Sequence, residues 1–442
     1  MPRIGTRPSR REFLKTAAAS LAGPLASSWC PAIVSSSALG AEGRPAPGGR
    51  VAMGFIGIGG QGGGHLFGGA WTYLTGGYLA RDDVQVLAIC DVWRNKRDGG
   101  TARVNSYYAS RLGKGTYKAC EGYADFRDLI ARDDIDAVLI GTPVHWHSLM
   151  ANMAARAGKD VYCEKPISLT IREGRAMADA VRRFGRVYQA GTQQRSEYGG
   201  KFHRACAYVR SGRIGQLKSV YAMLAGGGYT PGGGYSGPGR PIPDGFDWDL
   251  YLGPAPWRPF DGHADAHRFG WGSINWGQHH YDIVQWGIGS DDTGPVEIGW
   301  EDGKLAYRYA NGVVVYGCPY PGERVGGSGG CTFVGTEGRI AMDRENLVAY
   351  PPSILEKPLG PNDEHLYESN SHSGNFLDCV RTRKRPICDA ETAHRAMSVI
   401  LLGGIAEQLH RPLKWDPQRE QFLNDPQADE MLSAACREPW RV

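Results

Sequence analysis

The first half of the chain alternates between short apolar runs and stretches whose apolar residues recur at helical spacing. Apolar runs of this length, bounded by turn residues, are typical of strands buried on both faces of a sheet. The runs lie at residues 51–56, 84–91, 137–141, 160–163 and 187–191. Between them, Thr170 and Glu173 form a capping box at the start of one predicted helix. This alternation predicts a parallel, doubly wound sheet.

The second half has a different pattern, in which short strands with one buried face are separated by glycine turns. The predicted strands lie at residues 216–225, 296–300, 305–309, 313–318, 332–335 and 339–342. This pattern predicts an antiparallel sheet. Helices predicted at 374–383 and 390–409 are expected to return toward the first half. A glycine- and proline-rich segment at 226–245 is either an active-site lid or a linker.

The first apolar run ends in a Gly-x-Gly-x-x-Gly turn between residues 57 and 62. Glycines at this spacing allow a tight turn, a close approach of the backbone to a pyrophosphate, and close packing of the next helix on the strand. The start of that helix offers free N–H groups and a positive dipole end to phosphates. A dinucleotide is therefore expected to contact Gly57, Ile58, Gly59, Gln61 and Gly62.

The second apolar run ends in Asp91, 34 residues after Gly57 rather than the usual spacing of about 20. An acid at the end of this strand accepts both ribose hydroxyls of adenosine, which favours NAD over NADP. Arg94 and Lys96 follow, and because either can hold a 2′-phosphate, NADP remains an alternative. Ligands bind at the carboxyl ends of strands in such sheets. Other residues predicted to lie there are Thr142, Pro143, Lys165 and Gln193.

The N-terminal 41 residues have the layout of a twin-arginine export signal. Arg10 and Arg11 precede Phe-Leu-Lys, a weakly apolar run follows at 16–26, and small residues continue to Ala41. We expect a signal peptide at 1–41, export by the twin-arginine translocase and a periplasmic location. A disordered basic arm is the alternative. No run in the sequence reaches the length of a membrane span.

The formal net charge of +4 comes from this N-terminal segment. Residues 1–41 carry five basic side chains against one acidic side chain, so the remainder is close to neutral. A near-neutral chain argues against nucleic acid or an anionic membrane as a partner. The ten cysteines show no C-x-x-C spacing, which indicates neither a zinc site nor a full disulfide framework.

Three further motifs make the chain resemble the Gfo/Idh/MocA oxidoreductase family. They are Thr-Pro-x-His-Trp-His at 142–147, Glu-Lys-Pro at 164–166, and a match at 275–282 to Asp-x-Gly-x-His-x-x-Asp with one change. The resemblance implies an α/β fold: an NAD(P)-binding Rossmann domain at 49–166, and a C-terminal α/β domain at 167–442 with a large, open, mostly antiparallel sheet. It adds His147 and Glu164 to the cofactor-binding residues. The open face of such a sheet commonly pairs with another subunit, so a homo-oligomer is expected.

The resemblance also implies NAD(P)-dependent oxidation or reduction of sugars. Moving a hydride off a sugar carbon requires a group that takes the hydroxyl proton at the same time. Lys165 is the first candidate, because burial beside a cationic nicotinamide would lower its pKa toward neutrality. His279 is the second. Adjacent helix residues point apart, so His279 and His280 are not expected to share a metal ion.

Asn275 stands where the family usually has Asp, and it can orient a neighbour by hydrogen bonds but cannot relay a proton. Four residues are further candidates for substrate contact: Arg195, Asn275, Asp282 and His372. A structural role is the alternative for Arg195 and His372.

The leading hypothesis is an NAD(P)-dependent oxidoreductase that acts on a ring hydroxyl of a sugar or glycoside and holds its cofactor tightly. One alternative is an NAD-dependent glycoside hydrolase that works by transient oxidation and elimination. The other is a non-catalytic protein that binds sugar or cofactor on the same fold.

Overall fold

Six parallel strands form the first sheet, in the order β3-β2-β1-β4-β5-β6. They are β1 (Val51–Ile56), β2 (Val84–Cys90), β3 (Glu121–Tyr123), β4 (Ala137–Ile140), β5 (Asp160–Cys163) and β6 (Tyr188–Ala190). Strands β4 and β5 are buried along their whole length, as expected for a parallel sheet covered by helices on both faces. The strand order reverses between β1 and β4, so a crevice opens at their carboxyl ends.

The computed structural model describes residues 47–69, 72–113, 115–222, 238–264, 272–323 and 328–441. The predicted signal peptide at 1–41 and most of the glycine-rich segment at 226–245 lie outside these ranges. Residues 50–442 form one compact unit. No helix within the described ranges has both the length and the apolar character of a membrane span.

Five helices connect the parallel strands or follow them. They are α1 (Gly60–Phe67), α2 (Arg94–Arg111), α3 (Phe126–Ile130), α4 (His147–Arg156) and α5 (Ile171–Arg183). The predicted capping box is present at the start of α5, where Thr170 and Glu173 each accept a backbone N–H of the other. The parallel sheet continues through β6, beyond the predicted boundary at residue 166, because the α5 crossover adds one more parallel strand.

Nine strands form the second sheet, in the order β13-β12-β11-β7-β10-β9-β8-β14-β15. They are β7 (Leu217–Ala222), β8 (Glu297–Glu301), β9 (Lys304–Arg308), β10 (Val314–Tyr316), β11 (Gly330–Gly335), β12 (Arg339–Asp343), β13 (Leu347–Tyr350), β14 (Leu413–Asp416) and β15 (Gln421–Phe422). Neighbouring strands are antiparallel except β7 and β10. The predicted α/β fold class is therefore confirmed, although the sequence pattern did not indicate the short strands β13, β14 and β15.

Seven helices accompany the second sheet in the described ranges. They are α6 (Lys201–Arg210), α7 (Trp248–Leu252), α8 (Gly272–Ile288), α9 (Ser353–Glu356), α10 (His372–Thr382), α11 (Ala390–Leu409) and α12 (Pro426–Glu430). Helix α8 packs against α6 and α11, and α11 packs against α5. Helix α10 returns to the first sheet as predicted, with the ring of Phe376 5.7 Å from that of Tyr162 on β5.

A buried ion pair joins the segment after β6 to α8. Arg195 is 2% exposed and Asp282 is fully buried. The Arg195 Nε donates to Asp282 at 2.9 Å, and its terminal nitrogens donate to both oxygens of Asp291 at 2.7 and 2.9 Å. With these donors engaged inside the core, Arg195 and Asp282 hold the fold together. The prediction that they contact substrate is corrected accordingly.

We predict that Asp282→Asn lowers the free energy of unfolding by about 3 kcal/mol, because it removes one of two counterions from a buried guanidinium. Urea denaturation measures this change. The control is Asp378→Asn, because the Asp378 carboxylate is 72% exposed beside Arg381. This change should lower the free energy of unfolding by less than about 1 kcal/mol. Unchanged stability together with a raised KM for a sugar would restore the substrate role of Asp282.

Candidate active site

The turn after β1 is closely packed at Gly57 and Gly62 but leaves space at Gly59 and Gly60. Gly57 has a φ of 78°, a left-handed conformation that favours glycine. A Cβ on Gly62 would lie 1.9 Å from the carbonyl oxygen of Gly57, so the helix can approach the strand only without that side chain. At Gly59 and Gly60 a Cβ would meet nothing closer than 3.9 Å. The turn therefore leaves space over the N-terminus of α1, where a pyrophosphate would need it.

Asp91, at the end of β2, fixes the shape of this turn. One carboxylate oxygen accepts the backbone N–H of Ile58 at 3.0 Å, and the other accepts the N–H of Trp93 at 2.9 Å. Burial raises the pKa of Asp91, while these donors favour its ionised form. Each carboxylate oxygen keeps acceptor capacity beyond these bonds, which a pair of ribose hydroxyls can use.

A cavity of about 400 Å³ lies over the carboxyl ends of the parallel strands. Eight of the predicted residues line it: Gly57, Gly59, Gln61, Asp91, Thr142, Pro143, Glu164 and Lys165. Sequence reasoning gave no cavity role to several other lining side chains, among them Trp93, Trp146, Met150, Leu250 and Tyr251. Trp93 and Tyr251 lie near one another in this wall because both pack against Phe246. The predicted cofactor residues thus converge on one cavity.

Four predicted cofactor residues do not line this cavity and instead shape its wall. Ile58 contributes its backbone N–H to Asp91, and Gly62 packs directly on Gly57. The ring nitrogens of His147 lie 2.7 Å from the carbonyl oxygen of Thr142 and 2.6 Å from that of Pro166. His147 therefore ties the turn after β4 to the turn after β5. Gln193, the fourth, acts through Glu164.

Glu164 is buried at the end of β5 and is held by two hydrogen bonds. His65 of α1 lies 2.7 Å from one carboxylate oxygen, and the amide nitrogen of Gln193 donates to the same oxygen at 2.9 Å. Burial opposes ionisation and is the largest single effect, but the hydrogen bond from His65 and nearby positive charges, that of Lys165 among them, together outweigh it and lower the pKa of Glu164. Glu164 is thus a buried carboxylate beside Lys165. No local sequence pattern marks His65.

Lys165 lies at one end of the cavity and reaches α8. Its ammonium donates to the side-chain oxygen and, at 3.3 Å, to the backbone oxygen of Asn275. The ammonium also lies 6.0 Å from the centre of the Trp276 ring. Burial lowers the pKa of Lys165 to about 8, opposed by the Glu164 carboxylate and assisted by the charge of Arg344. Near neutral pH this side chain can therefore act as either acid or base.

His279 lies one helical turn after Asn275, so both occupy the same face of α8. Its Nδ1 is buried and has no hydrogen-bond partner among the described residues. Burial lowers the pKa of His279 well below its ordinary value, and the nearby Lys165 charge adds to the effect. The ring is therefore neutral and can accept a hydrogen bond or a proton. This geometry brings together the two predicted proton-transfer residues and Asn275.

Gln278, which the sequence did not single out, fixes the loop that carries Lys165. Its side-chain oxygen accepts the backbone N–H of Ile167 at 2.9 Å, and its nitrogen donates to the Ala393 carbonyl at 3.3 Å. Ile167 is two residues after Lys165. Gln278 therefore holds the Lys165 loop against α8 and α11, and no local sequence pattern marks such a long-range bond.

Arg344, between β12 and β13, lies near the same residues. Its guanidinium carbon is 4.8 Å from the ring centres of both Trp276 and Tyr198. Its Nε donates to the side-chain oxygen of Gln194 at 3.3 Å, and Gln194 in turn donates to the His279 carbonyl at 3.2 Å. This group was also not predicted, because its members are far apart in the sequence.

His372 and His280 both make hydrogen bonds within the protein. His372 is 1% exposed, with Nε2 2.7 Å from the Ala190 carbonyl and Nδ1 3.1 Å from the Ser196 hydroxyl. This arrangement corrects its predicted contact with substrate. His280 Nε2 lies 2.7 Å from the Ser328 carbonyl. Within the described ranges, no group of three or more His, Cys, Asp or Glu side chains is arranged to hold a metal ion.

The residues at this site fit a nicotinamide dinucleotide. Open space over the α1 N-terminus suits the pyrophosphate, and Asp91 at the end of β2 suits the adenosine ribose. The same cavity extends to Lys165, the group suited to acid–base work at the reacting end.

Similarity to known structures extends over most of the chain. Aldose-aldose oxidoreductase from Caulobacter crescentus, complexed with glycerol, has a TM-score of 0.55 at 18% identity, over 83% of this chain and 99% of that chain. The WlbA dehydrogenase from Bordetella pertussis, in complex with NADH and UDP-GlcNAcA, has a TM-score of 0.53 at 16% identity, over 83% and 99%. At these identities the similarity establishes the fold.

Among curated proteins, a glycosyl hydrolase family 109 protein from Shewanella pealeana is 31% identical over 220 residues. The match covers 47% of this chain and 44% of the relative. The chain thus spans less than half the length of the curated relatives it matches.

Two family descriptions match the chain itself. Residues 52–192 match the oxidoreductase family, NAD-binding Rossmann fold, and residues 231–314 and 352–442 match the C-terminal alpha/beta domain of that family. Together with the glycine turn and the two sheets, these matches identify the protein as a member of the Gfo/Idh/MocA oxidoreductase family with an NAD(P)-binding domain.

Proposed function

We propose that the protein transfers hydride between tightly held NAD and a ring carbon of a sugar or glycoside, and that Lys165 and His279 move the hydroxyl proton. The observation that carries this proposal is the environment of Lys165. Its side chain lines the cofactor cavity, contacts Asn275 and has a pKa lowered to about 8 by burial. A solvated lysine would be almost entirely protonated at neutral pH and could not serve as a base.

The bound nicotinamide would supply the hydride acceptor, and the chain supplies the proton transfer. The neutral Lys165 amine accepts the hydroxyl proton during oxidation, and the ammonium returns it during reduction. Asn275 orients the Lys165 nitrogen through its amide oxygen. His279 is neutral, and the Nδ1 that lacks a partner among the described residues can accept a proton or a hydrogen bond from a second hydroxyl.

The preference for NAD over NADP follows from Asp91. A 2′-phosphate beside this buried carboxylate would be repelled, whereas ribose hydroxyls can donate to it. Lys96 also lines the cavity, and this cation could favour NADP. We give more weight to Asp91 because it is fixed by two backbone hydrogen bonds and Lys96 is exposed.

Glycoside hydrolysis is the second candidate, and the family 109 relatives favour it. Oxidation of the hydroxyl two carbons from the anomeric carbon acidifies the C–H bond of the carbon between them, so the aglycone can leave by elimination before water is added and the oxidation is reversed. The proton-transfer roles of Lys165 and His279 serve this route equally well.

We also propose that the protein is exported through its Arg10-Arg11 signal to the periplasm. Self-association through the open face of the second sheet is supported by exposed Val348 and Tyr350. Light scattering should therefore show a homo-oligomer, and Tyr350→Glu should shift it toward smaller species.

Replacement of Lys165 by Met should leave cofactor bound but slow its reduction by sugar about 10²–10⁴-fold, the usual contribution of a general acid or base. In the unsubstituted protein, oxidation should rise with pH through about 8 as Lys165 loses its proton, and the reverse reduction should fall over the same range. Single-turnover absorbance measures both. Lys218→Met, an exposed lysine, is the control. A loss below tenfold would contradict the role.

Asp91→Asn should weaken NAD binding to the apo protein about tenfold or more, because an amide cannot accept from every donor around this carboxylate. Lys96→Met should leave NAD affinity nearly unchanged. Fluorescence titration with NAD and NADP compares the two variants with the unsubstituted protein. Equal affinity of the unsubstituted protein for both cofactors would show that the assignment is wrong.

Product analysis separates the two candidate reactions. A dehydrogenase acting on an aryl glycoside should give an oxidised sugar and a reduced cofactor. A hydrolase should release the aglycone, leave the cofactor in its starting state and incorporate solvent deuterium beside the anomeric carbon. Aglycone release without deuterium would exclude the elimination route.

Changing both Arg10 and Arg11 to Lys should retain the precursor in the cytoplasm, because the translocase recognises the paired arginines of the signal. Cell fractionation measures the distribution. The matched control changes Arg3 and Arg7 to Lys and should be exported normally. If the Arg10/Arg11 variant reaches the periplasm as efficiently as the control, the localisation is wrong.

A further inference from the structure

Arg344 is held against two aromatic rings and has no counterion among the residues that the structure describes. Its guanidinium lies 4.8 Å from the ring centres of Trp276 and Tyr198, and one donor is used by Gln194, which is fully buried. Within the described part of the chain, no Asp or Glu lies at ion-pair distance from Arg344 and no other acceptor takes its two terminal nitrogens. Those nitrogens carry four N–H donors in a planar fork.

Other arginines held within the fold have their charge balanced by carboxylates. Arg195 pairs with Asp282 and Asp291, and Arg175 pairs with Glu391 and Glu420. Orienting a guanidinium between rings costs side-chain freedom, and such an arrangement commonly serves to receive a carboxylate or phosphate.

The position of Arg344 places this fork beside the reacting groups. Lys165 lies over the same Trp276 ring, and the charge of Arg344 lowers the pKa values of both Lys165 and His279. Asn275 contributes an amide to Lys165 where a carboxylate would have balanced its charge. Glu164 is engaged by His65 and Gln193. Arg344 therefore adds a positive charge close to Lys165 and His279.

We propose that the substrate is a sugar carrying an anionic group, a carboxylate or a phosphate ester, which the terminal nitrogens of Arg344 bind. The sugar would lie against Trp276 with its reacting hydroxyl toward Lys165. This inference rests on the proposed action on a sugar. The bidentate guanidinium geometry matches a carboxylate or phosphate oxygen pair, and a neutral hydroxymethyl group cannot replace either.

The test uses the purified protein with its own cofactor and measures affinity by isothermal titration calorimetry. The panel contains glucuronate, galacturonate and mannuronate, each compared with its parent hexose and the hexose 6-phosphate. At least one anionic sugar should bind about tenfold or more tightly than its parent hexose. If the phosphate is preferred to the uronate, the anion is a phosphate ester; the reverse order identifies a carboxylate.

Arg344→Met should weaken the preferred anionic sugar about ten- to a hundredfold, the loss expected for a charge-assisted hydrogen bond, and change the parent hexose less than about threefold. Arg344→Lys keeps the positive charge but not the planar guanidinium. Its affinity for the anionic sugar should lie between those of the unsubstituted protein and Arg344→Met. The matched control is Arg182→Gln, which removes the positive charge of an exposed arginine on the last turn of α5. It should leave the affinities for both sugars unchanged.

Three results would overturn the inference: equal affinity for acids and hexoses, equal weakening of both by Arg344→Met, or no binding by any anionic sugar of the panel at millimolar concentration. Cofactor reduction distinguishes these failures from failure of the proposed function. Reduction by a neutral sugar without dependence on Arg344 would keep the redox function and reject the anion. Arg344-dependent binding of an anionic sugar without cofactor reduction would keep the anion-binding role of Arg344 and reject the redox function.

Discussion

The burial of Lys165 against α8 is the interaction on which the rest of the site depends. A lysine at the end of a parallel strand would ordinarily face water with a pKa near 10.5, whereas burial, assisted by the charge of Arg344, lowers the pKa of Lys165 to about 8. The amide of Asn275 accepts hydrogen bonds without adding the negative charge that would restore the ammonium. The second half of the chain thus sets the chemistry of a residue supplied by the first.

Local sequence patterns were sufficient to bring most of the predicted cofactor residues to one cavity. The glycine turn, Asp91 and Lys165 each sit at the carboxyl end of a strand, and parallel strands bring those ends to one edge whatever the exact packing. The cavity they line could therefore be inferred from spacing and strand order. The fold class could be inferred from the pattern as well, because alternating strands and helices permit few arrangements.

The residues that depend on contacts between distant segments could not be inferred in this way. His65 and Gln278 are ordinary helical residues until α1 meets β5 and α8 meets the loop after β5. Arg195 and Asp282 show the converse error, since they lie in or near motifs but bind one another inside the core. A sequence marks a charge, whereas only the packed structure shows whether that charge faces a ligand or another side chain.

The central claim is that Lys165 titrates near neutrality in the folded protein. Competitive labelling of amines across a pH series, with mass spectrometry of the peptide that contains Lys165, measures its pKa directly. We predict a midpoint near 8 for Lys165. A Lys165 midpoint near 10.5, the ordinary value for a solvated lysine, would contradict this claim.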